Sequence, residues 1–308
     1  MSTLSSASVR RCRNRFFGAT LYQLSGASSR TEYARWCDHL DRPQLFTAPG
    51  TVGGASVGTN PKWLRLLDAG VQLHEHCLNH LMDVFPELKA VYNHPLWEVL
   101  GWDSNDRQLT AMYLATRRPH CVALQGSSYP CRVNARMRWA LGVPDWTLVV
   151  LPLALFRNPI PPVSPQQRWL QQRFSHYVAL ASLMPAYHQC FNDLWALLDC
   201  WLKCSGQLFP LAWAADAEQF EYQREFWQIS RDEMIDYGWL PPSNHPTRCD
   251  LAMLWCICLA SPFLADRLNQ SLSRGVRRCP PLLRQLMREL DPRLDVLATV
   301  SLDQMPRS

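Results

Sequence analysis

Proline marks where this chain's helices start. Asn60-Pro61 and Ser164-Pro165 each set a capping side chain before a ring that fixes φ and needs no N–H partner, which suits a helix's first turn. His94-Pro95 and Pro185 open further helices, and Pro86 lies at the end of the segment that Pro61 begins. That segment can be wound at about 100° per residue. One half of the wheel collects Trp63, Leu66, Leu67, Val71, Leu73, Leu78, Leu81 and Phe85. The other half collects Arg65, Asp68, Gln72, Glu75, Asn79 and Asp83. The separation predicts one amphipathic helix from Trp63 to Phe85.

Helical patterns recur along the chain. They cover RTEYARWCDHL, about 104–119, 165–184, 185–204 (ended by Gly206), 216–236, 247–260, 262–274 and 280–290. Hydrophobic residues make up 47% of 308, ample for a core, and a chain rich in Trp and poor in Gly folds rather than remaining disordered. The expected fold is all-α, a mainly helical, multi-helix globular array with a minor strand near 147–151 (TLVV). The expected organisation is a basic Ser/Gly-rich segment with one short helix over 1–58 and a helical subdomain over 59–156. A stiff Pro-rich linker, RNPIPPVSP, covers 157–165; a second helical subdomain spans 166–300 and a tail 301–308.

Several functional classes have no support in these residues. The longest apolar runs, TLVVLPLALF and LAMLWCICLA, have ten residues each, against about twenty for a bilayer-spanning helix, so no membrane span is expected. Gly54-Ala55-Ser56-Val57-Gly58 spells a nucleophile elbow but lacks the strand before it and the helix directly after it. Walker A and GxGxxG loops are absent. MSTLSSASVRRCRNRFF has no apolar h-region, which argues against export, although a Ser- and Arg-rich start also suits an organellar transit peptide. Of the twelve cysteines, Cys190, Cys200, Cys256 and Cys258 lie in apolar segments where thiols act as small hydrophobes. A reducing cytoplasm is the expected compartment.

Three candidate sites remain. In LHEHCLNH (73–80), the wheel puts His74 and Cys77 in the apolar half. It puts His76 and His80 on the polar flank, with Asp83 one turn beyond. His76, His80 and Asp83 are thus the candidate metal ligands, the competing reading being a solvated flank plus one buried histidine, His74. Arginines form the second set, for only Lys62, Lys89 and Lys203 among the 31 basic residues are lysines. Arg10, Arg11, Arg13 and Arg15, then Arg117 and Arg118, then Arg132, Arg136 and Arg138 stand near Phe16, Phe17 and Trp139. Charge interleaved with rings is how single-stranded nucleic acid is held, though no known nucleic-acid motif accompanies these residues.

The third candidate is the 216–236 helix. Its Glu218, Glu221, Glu225 and Asp232 share a face opposite Phe220, Trp227 and Met234, either a solvated acidic face or a dock for a basic partner. Trp36, Trp97, Trp102, Trp169, Trp213 and Trp239 lie near helix ends or loops, where exposure would favour partner binding. The leading expectation is a non-enzymatic helical protein with a protein partner, acting as adaptor, scaffold or assembly component, with no cofactor. A nucleic-acid-associated accessory protein is the second reading, and a metal-dependent enzyme around His76 and His80 the third.

Overall fold

The computed structural model describes residues 6–41, 60–101, 144, 146, 149–157, 165–204, 210, 212–260 and 281. Among them every regular element is a helix. The expected strand at 147–151 gives way to helix from Val150 onward, while residues 147 and 148 lie outside the described set. Pro152 falls in the first turn of that helix, where its missing N–H costs nothing. The helices expected at 104–119, 262–274 and 280–290 lie outside the described residues, Pro281 apart. No described helix is long and apolar enough to cross a membrane.

The chain forms two compact units, one of Met1–Trp102 with Pro185–Trp201, the other of Asp103–Met184 with Leu202–Ser308. The first is organised around α1 (Ser6–Ser25), where the sequence predicts only a basic segment. Val9, Cys12, Phe16 and Ala19 repeat at helical spacing and are buried, as are Phe17 and Leu21. The interleaved arginines hide this stripe from a reading by composition. Around α1 pack α2 (Arg30–Asp41), α3 (Pro61–Ala69), α5 (Pro86–Tyr92), α6 (Pro95–Gly101) and later α9 (Pro185–His188). The fourth helix, α4 (Glu75–Val84), rests on α5. Phe16 meets Trp97 and Tyr187 edge-on, with ring centroids 6.0 and 5.3 Å away.

The single helix expected over 61–85 is two. Asn60 caps α3 as predicted, its side chain accepting from the Lys62 N–H at 3.0 Å. Gly70 then stops it at φ 62°, where its N–H bonds to Leu66 and that of Val71 to Arg65. A Cβ at Gly70 would lie 2.2 Å from the Arg11 carbonyl oxygen, so glycine is needed for space as well as for dihedral angle. The break resets the helical phase. His74 becomes the exposed residue preceding α4 rather than a buried member of an apolar stripe, while Cys77 is buried as expected.

In the second unit, α7 (Val150–Arg157), α11 (Ala217–Asp236) and α12 (Arg248–Ala260) pack on α8 (Pro165–Ala181). The remaining helix, α10 (Phe191–Cys204), contributes Leu194, Leu198 and Trp201 to the first unit's core. Phe156, Phe174, Trp213 and Phe220 form a chain of ring contacts in the second unit, and Tyr177 meets Trp255. Asp216 caps α11 by accepting from Gln219 N–H at 2.8 Å, and the Gln219 side chain reaches back to Ala215 N–H at 2.6 Å.

Candidate interaction surface

The three candidate sites fare differently once placed in space. His76, His80 and Asp83 are all exposed along α4. Among the described residues, no three His, Cys, Asp or Glu side chains gather as a metal ion would require. Cys77 sits inside the first unit, its thiol pushed up to about 12 chiefly by burial and further by the neighbouring Asp41.

The arginines of α1 divide between solvent and structure. Arg10 is exposed, and Arg11 is largely so, with Asp193 at 3.6 Å. Arg13 donates to the Tyr92 hydroxyl at 3.0 Å and lies 4.1 Å over that ring. Arg15 is spent entirely on its own fold, donating to the Asp193 carboxylate at 2.6 Å, the Gln189 carbonyl at 2.9 Å and the Leu67 carbonyl at 3.4 Å. Phe16 and Phe17, the rings that would stack on bases, are in the core. Arg117, Arg118, Arg132, Arg136 and Arg138 lie outside the described residues.

The loop tryptophans whose side chains are described do not form an exposed surface. Trp97, Trp213 and Trp239 are buried and Trp36 is half-buried against Phe85, while Trp102 lies outside the described residues and nothing is described of the Trp169 side chain.

Among the described residues, the outer side of α11 combines adjacent apolar side chains with exposed charge. Its inner side is fixed by Phe220, Trp227 and Met234, as their spacing predicts. Arg231, only 2% exposed, joins them; it donates to Asp250 at 2.8 Å, to Asp232 at 2.9 Å, and to the carbonyls of Ser243 and His245 at 2.7 and 3.1 Å. Asp250 is fully buried. It also accepts from Thr247 N–H at 3.1 Å while its own N–H donates to the Thr247 hydroxyl, a reciprocal cap that starts α12. Arg224, also buried, turns onto Glu221 one turn earlier.

With the inner side so anchored, the outer side presents Tyr222, Phe226 and Ile229, which are 71%, 42% and 57% exposed. Their i, i+4, i+7 spacing makes them one ridge. Glu218, Glu225, Asp232 and Asp236 are exposed beside it, and Glu233 is half-buried. The helix carries six carboxylates against two arginines, and both arginines face inward. Among the described residues, Glu218, Glu225, Glu233 and Asp236 form no side-chain hydrogen bond or ion pair.

The carboxylates stand out in the sequence, and the ridge does not. The signal is present: a second apolar series runs between Phe220/Trp227/Met234 and the acids. It is easily passed over because one buried stripe already accounts for the helix. Protein-family models, curated proteins and solved structures yield no match to this chain.

Proposed function

We propose that this chain is a non-enzymatic helical protein that works through protein contacts, as an adaptor, scaffold or assembly component, and that the outer face of α11 is its contact surface. One observation carries this reading. Six large hydrophobic side chains are exposed among the described residues, and three of them, Tyr222, Phe226 and Ile229, fall on a single ridge. Apolar side chains scattered singly are ordinary on protein surfaces, whereas adjacent ones mark interaction sites.

The state of the thiols agrees with a role outside nucleophilic catalysis. Burial pushes Cys190 up to about 12 and Cys258 up to about 11, and it raises Cys12 and Cys37 as well. At neutral pH these groups stay protonated and unreactive. The eight cysteines whose side chains are described are all free thiols, in keeping with a reducing compartment such as the cytoplasm.

The test is co-purification from native extract, with the wild-type chain beside a Tyr222→Ser/Phe226→Ser/Ile229→Ser variant of matched helicity. A stoichiometric protein partner present with the first and lost with the second is expected. Identical partner sets, or a lone monomer in both, would refute the proposal.

A further inference from the structure

We infer that the occupant of this face is a basic amphipathic helix, one with an apolar ridge bordered by arginine or lysine. The inference rests on the reading of α11 as a contact surface and adds the chemistry of the partner.

Shape gives the first argument. Tyr222, Phe226 and Ile229 run along two turns of α11, about 10 Å at 1.5 Å per residue. At about 100° per residue they occupy a sector of roughly 60°. A narrow, straight ridge of this kind packs well against the groove of another helix laid along it. It offers too little breadth for a flat sheet.

Charge gives the second. Continuing round the helix, Glu218, Asp236, Glu225 and Asp232 follow the ridge within the next sector of roughly 60°. The opposite border holds Gln219, Gln223 and Ser230, all uncharged. Negative charge therefore lies along one edge of the ridge: Asp232 is paired with Arg231, whereas Glu218, Glu225 and Asp236 have no arginine from the same helix, because Arg224 and Arg231 are turned inward. A helix that meets Tyr222, Phe226 and Ile229 with its own apolar side brings its adjacent edge over these carboxylates. Cations there gain attraction, and anions are repelled. Nucleic acid and an anionic membrane surface are disfavoured on the same ground. So is a second copy of this chain docked antiparallel through α11, since that two-fold contact would place one acidic edge against another.

The experiment uses the full chain and three synthetic helical peptides of equal length. They share one leucine ridge and differ only in its flanking residues, which are arginine, glutamine or glutamate. Fluorescence anisotropy at low and high salt reads the affinities. The arginine peptide is expected to bind about tenfold or more tightly than the glutamine peptide at low salt, and the glutamate peptide most weakly, with the spread shrinking as salt rises. Glu218→Gln/Glu225→Gln/Asp236→Asn should erase the preference, and Glu225→Lys/Asp236→Lys should reverse it; all five changes are at exposed positions. Tyr222→Ser/Phe226→Ser/Ile229→Ser should abolish binding of all three peptides.

Equal affinity for the three peptides, or an order unmoved by the charge variants, overturns the basic-helix inference while leaving the contact surface standing. No binding of the arginine peptide, with the native partner still lost from the serine variant, overturns it in the same way. Concentration-dependent self-association that the serine variant removes identifies a second copy as the occupant instead, and also overturns it. No binding together with an unchanged partner set removes the contact surface itself.

Discussion

Two helices of equal length, α1 and α11, carry opposite charge and use it in opposite ways. Both have twenty residues; α1 holds four arginines and no acid, α11 six acids and two arginines. Charge alone suggests two solvated faces, one basic and one acidic. In α1, Arg13 and Arg15 instead bind neighbouring helices, and Asn14, itself buried, donates to the Gly70 carbonyl at 3.0 Å. In α11 the outer carboxylates Glu218, Glu225, Asp232 and Asp236 do face water, and the buried charges are Arg224 and Arg231. The difference lies in side-chain reach. A guanidinium on its long stem can leave an apolar surface and still satisfy several donors, as Arg15 and Arg231 do. A short carboxylate stays buried only where such a fork comes to it, as Arg231 comes to Asp250.

The comparison can be broken most forcefully at Arg231. Arg231→Met strands the fully buried Asp250 carboxylate without its cation and should cost about 3–5 kcal/mol in urea unfolding. A loss below about 1 kcal/mol would mean that the pair is not buried as described. In the first unit, Gly70→Ala forces a side chain into the left-handed region and against the Arg11 backbone, for about 2–3 kcal/mol by the same measurement.

Arg15→Lys sharpens the comparison. It keeps a charge near Asp193 but gives up the fork to Gln189 and Leu67, and should cost about 1–2 kcal/mol, whereas Arg10→Lys should change stability by no more than about 0.5 kcal/mol. Equal effects at positions 10 and 15 would return α1 to the status of a solvated basic face.

A pH measurement adds a slope rather than a step. His176 of α8 lies edge-on to Trp227, 5.9 Å between centroids, and its pKa is held below 6.5, first by burial and then by Arg173. The unfolded imidazole takes up its proton at higher pH than the folded one. Stability should therefore fall as pH drops through 6.5 toward the folded value, and His176→Phe should flatten that slope. The smallest effect is expected on the outer face of α11. Tyr222→Ser and Ile229→Ser should each shift stability by less than about 0.5 kcal/mol, because neither side chain is covered. A larger loss at either position would show that the ridge is held inside the fold.

Much of the helical layout was legible because its causes are local. Asn60 and Asp216 cap helices where the sequence places them, and Phe220, Trp227 and Met234 form the predicted buried stripe. Gly70 does not stand out as a stop in the sequence because apolar spacing continues across it and a glycine inside a helix costs only about 1 kcal/mol. What decides its conformation is the backbone of Arg11, far away in sequence. His74 leaves the apolar face as a consequence, since a helix that stops and restarts changes the face on which each later residue falls. The basic start of the chain hides its core helix for a related reason, its buried series being interrupted by arginines whose partners, Asp193 and Gln189, lie more than 170 positions away.

By itself the sequence determined that this protein is helical, where many of its helices begin, and which residues of each share a face, because caps and periodicity act within a few residues. Only the tertiary structure decided which of those faces are covered. Two apolar stripes on α11 are equivalent in periodicity, and the packing of its neighbours buries Trp227 while leaving Tyr222 in water. Burial depends on residues that meet across long stretches of chain, and no local pattern encodes that choice.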